Sequence, residues 1–228
     1  MMPFTPRMLV PMLSLMALLA TVQASKSQEA NETKPASTDK NDPAIQWTPL
    51  LQSDSIEGWQ STNFGGEGEV DVEDGVLTMR SGQPLTGINW KGKEFPKENF
   101  EMRWSARRVD GSDFFDGVTF PVGDQYATFI CGGWGGGLVG LSSINGNDAS
   151  ENQSASFMSF KNKQWYAFRV RVDATHVTAW IDDEQVFQVE REGTKFSLRA
   201  EVLKSRPLGY CAFQSKIEVK DWGFRVLE

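Results

Sequence analysis

The amino-acid sequence predicts an all-β protein, a jelly-roll β-sandwich of two antiparallel sheets with few or no helices. The main observation is the segment 165–190, which reads WYAFRVRVDATHVTAWIDDEQVFQVE. Apolar and polar residues alternate in it with a period of two, and polar turns at Ala174–Thr175 and Asp182–Asp183 interrupt the alternation. Strands that bury one face and are joined by tight turns give this pattern. The second observation is that no segment keeps a sustained helical period.

The other strands are predicted from the same alternation. Segments 69–72 and 76–79 flank the dipeptide Asp74-Gly75, which is a strong hairpin signal. A long polar loop is predicted at 145–162, where Asn, Ser and Asp are frequent. The remaining strands are expected at 47–51, 99–108, 115–121, 126–131, 138–144, 208–213 and 217–227.

The chain has 228 residues, enough for one sandwich domain with a full core. Residues 1–24 predict a secretory signal peptide, because Arg7 precedes an apolar run that ends in a small-residue cleavage site. That run is too short to span a bilayer, so we expect no membrane insertion after cleavage. Residues 25–45 are polar and predict a disordered linker, which leaves 46–228 as the folded domain. The expected location is secreted or periplasmic.

Charge and cysteine usage exclude several classes of function. The formal net charge is −7 and no Lys/Arg cluster is present, which argues against nucleic acid and anionic membranes as partners. One His and two Cys are too few ligands for a zinc site unless carboxylates complete it. In a secreted protein Cys131 and Cys211 can form a disulfide, worth about 4 kcal/mol. Two buried free thiols are the open alternative.

A series of short motifs resembles one known family. The series includes Trp47-x-Pro-Leu, Gly58-Trp59, Val72-Glu-Asp-Gly75, Trp180-Ile-Asp-Asp and Trp222-Gly-Phe-Arg. Its order and spacing are similar to the 3-keto-disaccharide hydrolases over residues 46–228. The resemblance implies a concanavalin A-like (lectin/glucanase, laminin-G-like) jelly roll and cleavage of glycosides oxidised at the 3-position of the sugar. Typical members carry Tyr-Glu-x-Gln-x-x-Asp in the middle of the domain, where this chain reads DQYATFICGGWGGG at 124–137.

The implied reaction sets what the site must contain. A ketone at C3 acidifies the proton at C2, so a general base is needed to remove that proton, and the enolate oxygen must be stabilised. An acid or a cation assists the departing glycosidic oxygen, and water then adds to the enone. Carboxylates in loops or on a polar sheet face are therefore the catalytic candidates. They are Glu101, Asp113, Asp116 and Glu151.

Two of these carboxylates lie in the segment 110–117, where turn formation is the alternative role for Asp and Gly. No cofactor is required by the pattern. A divalent cation held by this segment, or by Asn145, Asp148 and Glu151 of the long loop, is an alternative that leaves the metal unknown. The long loop can equally be a substrate lid or an ordinary solvated connection.

Several residues are candidates for contacts with a sugar. Trp134 lies among five glycines, a composition that favours a sharp bend or close approach, so the ring either stacks on a sugar or packs in the core. Glu101, Arg103 and Arg169 point away from the core if their apolar neighbours point inward, so they either line a polar groove or form cross-strand ion pairs. The substrate-binding candidates are Arg103, Trp134, Asn145, Asp148, Arg169 and Trp180.

The sequence thus indicates a carbohydrate-active protein. The first hypothesis is an enzyme that cleaves 3-keto-glycosides by elimination at C2 and hydration. The alternative is a non-catalytic, lectin-like module that binds a glycan. A structural or adhesive laminin-G-like domain is a third possibility, because one fold serves all three functions.

Overall fold

The computed structural model describes residues 46–228, and the predicted signal peptide and linker lie outside these residues. Two antiparallel sheets face each other. Sheet A contains β1 (Thr48–Pro49), β3 (Val70–Glu73), β4 (Val76–Met79), β6 (Phe100–Asp110), β11 (Tyr166–Val172), β12 (His176–Ile181), β13 (Glu184–Glu190) and β15 (Lys216–Val226). Sheet B contains β2 (Trp59–Ser61), β5 (Leu85–Trp90), β7 (Asp116–Val122), β8 (Gln125–Gly132), β9 (Leu138–Ser142), β10 (Ser156–Phe157) and β14 (Gly209–Phe213).

The strand order confirms the predicted all-β sandwich. Sheet A runs β13-β12-β11-β6-β15-β4-β3, with β1 paired to β15, and sheet B runs β10-β9-β8-β7-β14-β5-β2. The described helical segments are the single turn α1 (Gly133–Gly136) and the 3₁₀ helix Ala200–Ser205. No helix within residues 46–228 is long and apolar enough to cross a membrane.

The core lies between the two sheets because alternate side chains of each strand point inward. Trp104 of β6 stacks on Phe168 of β11 within sheet A, with ring centroids 5.7 Å apart. Across the sandwich, Trp104 also packs edge-on against Phe129 of β8, with centroids 6.4 Å apart. The outward positions of both sheets are thereby left for polar side chains or for a ligand.

The predicted hairpin at Asp74-Gly75 is confirmed. The last pair of strands β3 and β4 is Glu73 with Val76. The two residues of the turn, Asp74 and Gly75, have φ values of 51° and 74°. Two residues with positive φ are what a two-residue turn between right-twisted strands requires.

The two cysteines are free, which settles the disulfide alternative. Cys131 pairs with Asp116 of β7, whereas Cys211 pairs with the next residue, Gly117. Consecutive residues of a strand point to opposite faces. Cys131 therefore lies in the main core, whereas Cys211 packs with Leu85 and Val202 in a second apolar cluster. No bridge can join them through the sheet.

Candidate functional site

A groove with a volume of about 320 Å³ crosses the outer face of sheet B. Its floor comes from outward-facing side chains of β9, β8, β14 and β5. Its walls come from three connecting segments: residues 113–114 before β7, Trp134 after β8, and residues 199–202 before β14. The lining residues are Pro84, Leu85, Asp113, Phe114, Thr128, Ile130, Trp134, Ser142, Arg199, Glu201, Val202 and Phe213.

The order of strands gives the groove two chemically different ends. Ser142 of β9 and Thr128 of β8 are Cα partners and put two hydroxyl groups at one end. Toward β14 and β5 the floor changes to Phe213 and Leu85, which are also Cα partners. Four strand spacings separate β9 from β5, about 19 Å in all. The groove is thus polar at the β9 end and apolar at the β5 end.

Trp134 forms part of the groove wall and is 48% exposed. Its backbone is in the left-handed region, with φ 50° and ψ 52°, and the following Gly135 has φ 86°. The Asp113 carboxylate holds this turn: Oδ1 accepts from Phe114 N–H at 2.7 Å and Oδ2 from Gly135 N–H at 3.3 Å. At Gly136, with φ 112°, a Cβ atom would approach the Ser112 carbonyl oxygen to 2.9 Å. The glycines therefore allow the bend that keeps the indole out of the core.

Arg199 and Glu201 supply the charges of the groove. Glu201 Oε1 accepts from Arg199 Nε at 3.0 Å and from Nη2 at 2.7 Å. Arg199 Nη1 also pairs with Asp148 Oδ2, and Asp148 Oδ1 accepts from the Ser142 hydroxyl at 3.0 Å. The guanidinium beside it lowers the pKa of Glu201, and the Glu201 carboxylate raises that of Arg199. Both groups stay charged at neutral pH.

The structure separates the predicted site residues into two groups. Asp113 and Trp134 line the groove, and Asp148 touches it through Arg199. In contrast, Glu101, Arg103, Arg169 and Trp180 lie on the outer face of sheet A, on the other side of the sandwich. The Glu101 carboxylate is 3% exposed and pairs with Arg169 at 3.5 Å and Arg225 at 3.2 Å. Of the two alternatives for this face, the structure shows cross-strand ion pairing.

The tryptophans of the sheet A face are covered by guanidinium groups. Arg169 lies 3.7 Å from the centroid of the Trp180 ring, and Arg103 lies 4.3 Å from that of Trp47. These stacks occupy ring faces that a sugar would use. Arg103, Arg169 and Trp180 are thus partnered with other side chains of sheet A and are not among the residues that line the sheet B groove.

Asp116 requires a correction, because its side chain lies in the core and not at a surface. It is fully buried, and its Oδ1 accepts from Trp104 Nε1 at 2.8 Å and from the Tyr210 hydroxyl. Burial raises the pKa of this carboxyl to about 7. A substrate cannot reach it, so Asp116 is not catalytic. Asp116 shares the inward face of β7 with Val118 and Phe120, which belong to the main core.

The long loop does not form the cation site considered from the sequence. Asn145 Oδ1 accepts from Lys195 N–H at 2.9 Å, Asp148 is paired with Arg199, and Glu151 is exposed outside the groove lining. No group of three or more His, Cys, Asp or Glu side chains that could hold a metal ion occurs within residues 46–228. Asn145 and Glu151 are therefore not among the residues that line this groove.

Sequence reasoning missed Arg199, Glu201 and the apolar lining at Phe114 and Phe213. The segment 199–206 has no strand alternation and no known motif, so nothing in it marks a site. It reaches the groove because its 3₁₀ helix packs over sheet B, where Val202 contacts the cluster around Cys211 and Leu85. Only the three-dimensional fold reveals this contribution.

Solved structures share this fold at low sequence identity. A candidate glycosyl hydrolase from Parabacteroides distasonis is 15% identical with a TM-score of 0.51, covering 81% of this chain and 96% of that one. A structure from work on endo-acting O-glycanases, which human gut microbiota express to initiate mucin breakdown, is 12% identical with a TM-score of 0.52, covering 78% and 96%. The Crh5 transglycosylase is 11% identical with a TM-score of 0.54, covering 80% and 83%.

These likenesses define the class as a jelly-roll β-sandwich. The chain belongs to the family described as the 3-keto-alpha-glucoside-1,2-lyase-like domain, whose model matches residues 46–225. This match confirms the resemblance drawn from the motifs and makes the chain a member of a carbohydrate-active family. No curated protein matches it in a sequence comparison.

Proposed function

We propose that this protein cleaves 3-keto-glycosides in the sheet B groove, by elimination at C2 followed by hydration. The observation that carries the proposal is the meeting of Glu201, Arg199 and the exposed Trp134 on the walls of one groove. A carboxylate, a guanidinium and an aromatic ring are the groups that proton abstraction, enolate stabilisation and sugar stacking need. Membership of the lyase-like family supports the same reaction.

In this mechanism Glu201 is the general base. Its lowered pKa keeps it anionic, and both bonds from Arg199 go to Oε1, which leaves Oε2 to receive the C2 proton. The electrons of the C2–H bond form the enolate across C2 and C3. When the C3 ketone re-forms, the C1–C2 double bond forms and the bond from C1 to the glycosidic oxygen breaks. Glu201 returns its proton to the departing oxygen.

Arg199 is the group that stabilises the enolate oxygen. Its bonds to Glu201 and Asp148 use three of the five guanidinium N–H groups, which leaves two for a ligand in the groove. Water then adds at C1 of the enone and a proton returns to C2, so the net reaction is hydrolysis. Asp113 is a positioning residue, since its carboxylate holds the Trp134 turn.

The test is release of sugar from 3-keto-trehalose by wild-type protein and by Glu201→Gln. We expect the substitution to lower kcat by roughly 10²- to 10⁴-fold, the range for loss of a general base. Glu192→Gln, an exposed carboxylate outside the groove lining, is the matched control and should keep full activity. Equal rates for Glu201→Gln and wild type would refute the role of Glu201.

A lectin-like module is the second candidate, and one observation favours it. The β8 floor presents Thr128 and Ile130 to the groove, within the segment that departs from the acidic motif typical of the family. A groove that binds without cutting would hold 3-keto-trehalose and trehalose with measurable affinity in calorimetry and release nothing. Binding of both sugars without any release would identify the protein as a lectin-like module and not an enzyme.

We also propose that the protein acts outside the cytoplasm, as a secreted or periplasmic protein. Residues 1–24 support this proposal through their charge, apolar run and cleavage site. N-terminal sequencing of the protein recovered from the periplasm or medium should begin at Ser25. Recovery of the uncut chain from the cytoplasm alone would contradict it.

A further inference from the structure

We propose that the substrate carries an aromatic aglycone, bound at the apolar end of the groove while the 3-keto sugar occupies the polar end. This inference rests on the proposed function, because it names the substrate class of the same site. The polar end is defined by Ser142, Thr128, Trp134 and Arg199. The apolar end is defined by Pro84, Leu85, Phe114, Val202 and Phe213.

The apolar end is built around two phenyl rings. Phe114 and Phe213 lie with their ring centroids 5.8 Å apart at an interplanar angle of 37°, and both are only partly buried. Leu85 and Val202 belong to the apolar cluster against which these rings pack. Open hydrocarbon surface inside a groove favours an apolar ligand group, and phenyl rings favour an aromatic one.

The rings are held in place by the backbone. Phe114 N–H donates to Asp113 Oδ1 at 2.7 Å, and Phe213 N–H donates to the Phe114 carbonyl oxygen at 2.9 Å. Gly117 of β7 lies beneath, where an added Cβ would come within 3.0 Å of the Phe114 ring. Phe114 therefore lies close over the sheet and forms a preformed surface.

A second sugar is a poor occupant of this end. Its hydroxyl groups lose water on entering the groove and need new hydrogen-bond partners. The side chains of the apolar end are hydrocarbon in all five residues. The Arg199 guanidinium, which keeps two N–H groups for a ligand, lies at the other end with the hydroxyl groups of Ser142 and Thr128.

The proposed general base lies at the boundary between the two ends of the groove. Along the chain, Glu201 lies between Arg199 of the polar end, which is the N-cap of the 3₁₀ helix, and Val202 of the apolar end, and all three line the groove. Asp113 likewise lies next to Phe114 and binds the Trp134 turn. A sugar on the polar side and an aglycone on the apolar side would put the bond between them near Glu201.

The experiment compares benzyl and methyl 3-keto-α-glucosides, whose leaving alcohols have similar acidity, together with 3-keto-trehalose. For the wild type we expect kcat/KM for the benzyl substrate to exceed both others by at least about tenfold. Phe213→Ala should remove most of this preference, mainly through a higher KM for the benzyl substrate, and should cost the methyl substrate much less. Leu203→Ala, an exposed position on the 3₁₀ helix outside the groove lining, should change none of the three.

Two results would overturn the inference: equal kcat/KM for the benzyl and methyl substrates, or an equal loss on both in Phe213→Ala. Thermal unfolding of Phe213→Ala shows whether that variant is folded, and Phe114→Leu, which keeps an apolar side chain, provides a second variant. If no substrate is cleaved, the proposed function fails and calorimetry decides the inference separately. Tighter binding of the benzyl glucoside than of the methyl glucoside, lost in Phe213→Ala, would then support it, and equal binding would refute it.

Discussion

The two outer faces of the sandwich carry similar side chains and use them differently. On sheet A, Glu101 pairs with Arg169 and Arg225, and guanidinium groups cover the rings of Trp47 and Trp180. On sheet B, connecting segments stand above the strands and leave a groove with an exposed tryptophan. Polar side chains on a flat sheet satisfy one another across strands.

The comparison shows that residue type alone does not make a site. The groove requires walls, and these come from segments that alternate poorly or not at all, at residues 113–114, 134 and 199–202. In both places an arginine pairs with a carboxylate and lies over a tryptophan ring, at 3.7 Å for Arg169 and Trp180 and at 5.8 Å for Arg199 and Trp134. Only Arg199 and Trp134 stand on segments that connect strands. The following predictions test this contrast.

The largest expected effect is on the pH dependence of stability and comes from Asp116. This carboxylate lies in the core, whereas the Glu201 carboxylate lies in the groove. Because the pKa of Asp116 is raised to about 7 in the folded protein, the folded state binds the proton more tightly than the unfolded state. The free energy of unfolding should therefore fall as pH rises from about 4 to about 7. The difference between this pKa and the ordinary value of 3.8 corresponds to a change of about 4 kcal/mol in the free energy of unfolding.

Denaturant unfolding between pH 4 and pH 8 measures this effect. Asp116→Asn, which cannot ionise, should flatten the fall, whereas the exposed control Asp221→Asn should keep the wild-type slope. Parallel curves for wild type and Asp116→Asn would show that Asp116 does not titrate in this range.

The second prediction separates stability from function on the sheet A face. Glu101→Gln removes the charge between two partly buried arginines and should lower the free energy of unfolding by about 2 kcal/mol. Sugar release should not change, because Glu101 does not line the sheet B groove in which we propose that the reaction occurs. Urea unfolding and the 3-keto-trehalose assay measure the two quantities.

The control for this substitution is Glu69→Gln, because Glu69 pairs with Arg80 in an exposed salt bridge. Its removal should change stability by less than about 0.5 kcal/mol. Loss of activity in a folded Glu101→Gln protein would move the site to sheet A and reverse the comparison.

The smallest predicted effect compares the two tryptophans directly. Trp134→Ala should weaken binding of a 3-keto-glycoside about tenfold, close to 1.4 kcal/mol, because it removes an exposed ring from the groove. Trp180→Ala should leave binding unchanged, because its ring is stacked under Arg169 on the other face. Isothermal titration calorimetry gives both affinities. A greater loss for Trp180→Ala than for Trp134→Ala would be inconsistent with the groove as the binding site.

The fold class and much of the strand pattern can be predicted from the sequence, because period-two alternation and turns such as Asp74-Gly75 are local properties of the chain. The alternation also separated inward from outward positions on strands such as β6 and β11. It did not do so for Asp116, which the turn-like composition of residues 110–117 made a surface candidate and which the fold buries. The motifs identified the family, which the match over residues 46–225 confirms.

Which outward residues share a site becomes visible only in the folded chain. Alternation states that Glu101 and Thr128 both point outward, but not that they lie on opposite faces of the sandwich, because that depends on strand order across the chain. The alternation pattern also gave no reason to place Asp113 near Glu201. The two residues are 88 positions apart in the sequence, yet both line the groove. Such contacts arise when connecting segments pack over a sheet, and the energy of that packing comes from residues distant in sequence.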